Sequence, residues 1–205
     1  MSFRIAVLVS GEGSNLQALI DDLGDSDIEI AAVASSRADA RGLERAEAAG
    51  IETQVFSLAD EPDRAKRDEA LAGWLEERGV ELVVLAGFME LLTPGFIRRF
   101  AGRIVNVHPA LLPAFPGLRV IEQALEYGVK VAGVTVHFVD EGVDSGPILL
   151  QEAFELPYHR DISAIRPHFQ EVEHRLLPHA VRLIAAGRVS LDRDNPRLVR
   201  VEADG

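Results

Sequence analysis

Apolar residues along this chain come in two rhythms, short unbroken runs and helical stripes, and the two alternate. Arg4-Ile5-Ala6-Val7-Leu8-Val9-Ser10 is a continuous run of the kind that lies in a buried parallel strand. Gly11-Glu12-Gly13-Ser14-Asn15 follows, and Leu16, Ala18, Leu19 and Ile20 then recur at helical spacing. A second strand is predicted over 28–33, followed by a helix over 40–49 that stops at Gly50, a natural residue for the position after a helix. The run 53–56 leads to a helix over 62–78 with Leu71, Trp74 and Leu75 on one face. Leu82–Gly87 is another apolar strand, Thr93-Pro94 reads as the cap and first residue of a short helix, and 103–107 is a further strand. This alternation predicts an α/β fold, a doubly wound, Rossmann-like sheet with ligands at the carboxyl ends of its strands.

Beyond residue 108 the pattern changes. Pro109, Pro113, Pro116 and Gly117 mark an irregular stretch expected at the surface. A helix is predicted over 122–127, then a run over 129–139 broken by Gly133 and containing the alternation Val134-Thr135-Val136-His137-Phe138. Asp140–Gly146 is a polar turn and 147–154 another strand, so a hairpin makes the mostly parallel sheet partly mixed. A long helix over 161–186 has Ile165, Phe169, Val172, Leu176 and Leu177 as its apolar face, and Pro167 and Pro178 are expected to split or kink it. The expected organisation is one domain over 1–190 with a C-terminal extension over 191–205.

Composition narrows the class. Among 205 residues there are 21 Lys+Arg and 33 Asp+Glu, giving a formal charge of −12, with 47% hydrophobic and 26% charged residues. These are globular proportions. No apolar run approaches the ~18 residues of a membrane helix, and the first residues lack the pattern of a signal peptide, so a cytoplasmic protein without a membrane partner is expected. With no cysteine, disulfides and thiolate-held metals are excluded. The acidic balance counts against sequence-independent nucleic-acid binding, although a local pocket can still attract a small anion. Composition leaves monomer and homodimer equally open.

Four groups of residues carry candidate chemistry. The turn Ser10–Asn15 passes from strand to helix, where backbone N–H groups and the helix N-terminus favour an anion such as a phosphate. A tight turn that only caps the helix accounts for the same residues. The turn is neither the dinucleotide fingerprint, because position 16 is Leu, nor a P-loop. Asn106 and His108 lie two apart at a strand end and so share a side; an amide can support a developing oxyanion and an imidazole can shuttle a proton. Asp144, in a turn rich in acids and glycines, has spacing that favours a plain turn former; its functional reading is a contact with His108 that raises the imidazole pKa. Arg64, Lys66 and Arg67 read as a solvated helix face, Met89 as pocket wall or core, His137 as a strand histidine, and Glu173-His174 as an exposed helix pair. Glu171-x-x-His174 has no second copy, so no metal site is expected.

Taken together, Ile5–Leu19, Leu82–Met89, Asn106–Gly117 and Thr135–Gln151, with Glu173-His174-Arg175-Leu176-Leu177-Pro178, closely resemble the phosphoribosylglycinamide formyltransferase family, folate-dependent enzymes of purine synthesis. The likeness runs over about residues 3–190. It implies a formyltransferase fold and transfer of a formyl group from the co-substrate 10-formyltetrahydrofolate to the amine of glycinamide ribonucleotide, without a metal. On the resemblance, Asn106, His108 and Asp144 are catalytic. Asn106 would hold the formyl oxygen, His108 would act as general acid, and Asp144 would keep the imidazole protonated. Gly13, Ser14 and Asn15 would bind the substrate phosphate, and Glu173 the ribose hydroxyls. Met89, Glu90, Leu91, Leu92, Val139, Asp140, Val143 and Asp144 would line the folate pocket beside Asn106, and Arg64, with Asp68, would contact the folate side.

The chain departs from the family pattern at Glu90, where Arg is common, at Ser36, where Asn is common, and at 118–121 in the loop. Two other functions share parts of this pattern: hydrolysis of 10-formyltetrahydrofolate, and phosphometabolite binding without catalysis.

Overall fold

Strands apolar on both faces must be covered on both faces, and those of the first half of the chain pair side by side. The computed structural model describes residues 2–24, 26–156 and 161–202, and the chain forms two compact units, Met1–Asn106 and Val107–Gly205. In the first unit, β1 (Phe3–Val9), β2 (Ile28–Ser35), β3 (Thr53–Val55), β4 (Leu82–Leu85) and the beginning of β5 (Ile104–His108) are parallel, in the order β3-β2-β1-β4-β5. Residues 5–9 of the central β1 have no exposed surface. Ile5, Val7, Leu8 and Val9 each contribute on the order of 1.5–3 kcal/mol by burial.

Helices α1 (Ser14–Leu23), α2 (Arg41–Ala48), α3 (Arg64–Glu77) and α4 (Pro94–Arg99) connect these strands. Thr93 caps α4 ahead of Pro94, as the sequence predicts, and in the structure the Asp63 side chain caps α3 by accepting from the amides of Ala65 and Lys66. Because β1 and β4 are parallel and in register at Leu8 and Leu85, the loops that follow them leave the sheet at the same edge.

In the second unit, the end of β5 leads through an irregular segment to α5 (Val120–Tyr127), β6 (Val131–Phe138) and β7 (Ile148–Glu155), the last two forming the antiparallel hairpin expected from the alternation. Strand pairing is therefore parallel in one unit and antiparallel in the other, giving a mostly parallel, partly mixed α/β fold. Packed on β6 and β7 is α6 (Ile162–Ala185), with Phe169 edge-on to Phe154 at 5.0 Å between ring centres.

One expectation is corrected. Pro167 and Pro178 do not split α6, which is a single 24-residue helix. Its stripe from Ile165 to Leu183 is buried, and that packing outweighs the backbone bonds the prolines remove. The C-terminal segment also has structure of its own: β8 (Val189–Leu191) pairs with β9 (Val199–Val201), bringing residues on both sides of position 190 into one ribbon. Residues 203–205 lie outside the described residues. No helix among the described residues is long and apolar enough to cross a membrane.

Candidate active site

The glycine-rich turn after β1 is shaped by a backbone contact that only glycine permits. Gly13, the residue preceding α1, has φ of 69°, and a Cβ there would stand 2.6 Å from the Cα of Gly42 in α2. The Gly42 amide donates to the Gly11 carbonyl at 3.0 Å, fastening the turn to α2. No acidic residue occupies the first turn of α1, so its N-terminal amides keep their positive end for an anion. Gly13 is buried, while Ser14 and Asn15 are half-buried.

The second cluster is built around β5 and the β6–β7 turn. Asn106 and His108 share one side of β5; Asn106 is half-buried and His108 is 4% exposed. Nδ1 of His108 lies 3.5 Å from Oδ2 of Asp144, and its Nε2 lies 2.8 Å from the Phe115 carbonyl. Oδ2 of Asp144 accepts the Gly117 amide at 2.7 Å, and Oδ1 lies 3.6 Å from Nε2 of His137. Nδ1 of His137 is 2.8 Å from the Phe138 carbonyl. Each imidazole thus faces two oxygen acceptors, whereas a neutral ring has one N–H to give. A second proton on the His108 ring would meet an oxygen acceptor on each side.

Burial resists that proton. It pushes the His108 imidazole below its ordinary value, with His137 adding a smaller effect in the same direction; the Phe115 carbonyl and Asp144 act the other way without prevailing. Asp144 thus acts in the direction the sequence reading expects, but desolvation is larger and the net shift is downward. For Asp144 itself, burial favours the neutral form, yet the contacts with His137, the Gly117 amide and His108 outweigh it and hold the carboxyl below its usual range.

Asp144 reaches this position through a strained turn. Its φ is 48°, and Phe115 and Arg119 (52° and 56°) are the other non-glycine residues with positive φ among the described residues. All three lie in the segments around His108, where conformations costing about 1–3 kcal/mol each persist only when surrounding contacts enforce them. A Cβ at Gly146 would meet the Phe138 carbonyl at 1.8 Å, so the chain can return into β7 only with glycine there.

The remaining predicted residues divide by exposure. Met89, Leu91 and Val143 are more than half exposed, an unusual state for apolar side chains at strand ends, while Leu92 is nearly buried and Val139 and Asp140 are half-buried. Asp140 shapes its turn by accepting from the Gly142 amide and the Ser145 hydroxyl. Glu173 is half-buried on α6 rather than fully exposed, as is His174, whose imidazole burial pushes downward. Arg64 is exposed at the first residue of α3. Among the described residues no group of three or more His, Asp or Glu is arranged to hold a metal.

Two residues escaped the sequence reading. His137, read as a plain strand histidine, faces Asp144. Arg67, read as part of a solvated face, is 1% exposed and pairs with Asp68 and Glu90. A signal was present for Arg67: it precedes Leu71 by four residues and Leu75 by eight, which places it on the buried stripe.

The first unit carries a glycine-rich strand-to-helix turn after β1, and the second a half-buried carboxylate set against two imidazoles, features of an α/β enzyme. The sequence model of the formyl transferase family matches residues 3–181, and the chain belongs to that family. It is 42% identical over 194 residues to the phosphoribosylglycinamide formyltransferase of Haemophilus influenzae, covering 94% of this chain and 91% of that protein. It is 44% identical over 190 residues to the human trifunctional purine biosynthetic protein adenosine-3, covering 92% of this chain. The chain spans only 14–20% of the length of the trifunctional relatives it matches. Among solved structures, glycinamide ribonucleotide transformylase 1 from Symbiobacterium toebii superposes with a TM-score of 0.93 at 48% identity, over 98% of this chain and 94% of that one.

Proposed function

We propose that this chain transfers the formyl group of 10-formyltetrahydrofolate to the amine of 5′-phosphoribosylglycinamide, giving the N-formyl amide and tetrahydrofolate. The observation that carries the reading is the Asp144–His108 contact at 3.5 Å, in a family of formyl transferases. The amine nitrogen attacks the formyl carbon, and the carbonyl electron pair moves onto oxygen, held by the Asn106 amide and His108. His108, neutral above its depressed pKa, takes the proton the amine releases. The imidazolium, stabilised by Asp144, then returns a proton to N10 as the C–N10 bond breaks and the carbonyl re-forms. As written, the reaction uses protein groups alone.

On this reading Gly13, Ser14 and Asn15 hold the phosphate of the acceptor, and Glu173 its ribose hydroxyls. Met89–Leu92 and Val139–Asp144 line the pterin pocket through backbone groups, with Arg64 on the folate side. The catalytic domain is residues 1–190, followed by the extension 191–205. The protein works in the cytoplasm on small molecules, as monomer or homodimer, without nucleic acid or membrane.

The test is a steady-state absorbance assay of folate release from 10-formyltetrahydrofolate, with and without the ribonucleotide. Release that requires the ribonucleotide is the expected result. Release without it, matched by free formate, makes the protein a hydrolase, and donor binding without release makes it a binding protein.

A further inference from the structure

Arg67 is a cation in a place where cations are costly. A guanidinium 1% exposed is tolerated only when paired. Its Nη1 pairs with the Glu90 carboxylate and lies 3.5 Å from the Phe56 carbonyl, while its Nε is 2.6 Å from Oδ1 of Asp68, an ion pair without hydrogen-bond alignment. Nη2 has no hydrogen-bond partner among the described residues. Asp68 is equally buried, and its Oδ2 accepts the Thr93 amide at 2.6 Å. Four residues before Thr93, the Met89 amide donates to the Ser10 hydroxyl at 2.9 Å. The segment after β4 is therefore pinned at the Met89 amide, the Glu90 carboxylate and the Thr93 amide. Between the pins the side chains of Met89 and Leu91 stand 65% and 59% exposed.

We propose that Arg67 is a positioning residue for recognition of the formyl donor, acting through Glu90 to hold the backbone of residues 89–92 in its donor-binding shape. This rests on the reading that 89–92 lines the donor pocket. Without the guanidinium, the carboxylates of Asp68 and Glu90 are left as two uncompensated negative charges behind one short segment. The segment then moves, and a displacement of about 1 Å at a recognition surface costs up to about 10²-fold. The acceptor's phosphate, held on the reading by Gly13–Asn15, does not depend on this pair.

The test compares Arg67→Met, which keeps bulk and removes charge, with the double variant Arg67→Met/Glu90→Gln, which removes the partner charge as well. Expected for Arg67→Met is a donor KM raised about tenfold with an acceptor KM within about twofold of wild type, and recovery of part of the donor loss in the double variant. Amide hydrogen exchange of the unliganded protein supplies a readout independent of turnover: exchange at 90–93 is faster in Arg67→Met than in wild type. If Arg67→Met does not fold, Glu90→Gln carries the same expectation with a smaller change. Equal increases in both KM values, or a folded variant with unchanged donor KM and unchanged exchange, would overturn the proposal. Wild-type protein without transferase activity would instead remove the donor reading, leaving the exchange data to decide whether Arg67 orders the segment.

Discussion

The carboxylate of Asp144 that faces His108 also faces His137: its Oδ1 lies 3.6 Å from His137 Nε2. One half-buried carboxylate therefore faces two imidazoles from opposite oxygens, and a proton on His108 is favoured by it.

Asp144→Asn removes this charge while keeping the side chain's shape. Since Asp144 favours the charged form of His108, its loss lowers the imidazole pKa further. The expected outcome is a lower rate and a pH–rate limb displaced to lower pH, read from kcat across pH 5–9. A slower enzyme with an unmoved limb would show that Asp144 acts on something other than the imidazole.

Stability responds to pH through the same burial. His108 and His174 both have folded-state pKa values depressed from 6.5. A histidine held neutral by folding contributes stability present above its unfolded value and lost as pH falls through the folded one. Asp144, depressed from 3.8, continues the loss in more acidic solution. Urea midpoints are expected to fall from pH 7.5 to pH 5, less steeply in His108→Gln; a flat or rising midpoint would contradict this account.

Gly13→Ala places a methyl 2.6 Å from the Gly42 Cα on a left-handed backbone. Strain and crowding together are expected to cost about 2–4 kcal/mol in urea unfolding. Acceptor KM should rise more than donor KM, because the displaced amides are those assigned to the phosphate. Equal rises would mean only that the fold was damaged.

Thr135 has no exposed surface, and its hydroxyl knots the loop after His108 to the hairpin. It donates to the Ala110 carbonyl at 2.7 Å and accepts from the Leu112 amide and the Gln151 side chain. Thr135→Val keeps the shape and strands these partners, for an expected loss of about 1–3 kcal/mol. Unchanged thermal stability would show that the knot carries no weight.

The elements were legible where burial leaves a periodic mark. The runs 4–10 and 82–87, the capping residue Thr93, and the alternation before Phe138 each report a local requirement that one segment meets by itself. From spacing alone Asp144 reads as a turn former, and only the family resemblance places it at His108, because the contact depends on its own positive φ and on Gly146 passing the Phe138 carbonyl, two features of a turn that spacing does not encode. His137 was correctly read as a strand residue, but its partner lies across that same turn. Arg67 was misjudged because charge on a helix usually means solvent; its phase with Leu71 and Leu75 said otherwise, and the acid it needed lay after a different strand, at Glu90.

The most direct test of the account follows the formyl carbon itself. With 10-formyltetrahydrofolate carrying a ¹³C-labelled formyl group, wild type and His108→Ala are compared by mass spectrometry of the products. The account predicts label on the glycinamide nitrogen with wild type, at a rate about 10²–10⁴-fold lower with His108→Ala, whose substrate affinity stays close to wild type. Label appearing as formate, or a wild-type rate in His108→Ala, would contradict it.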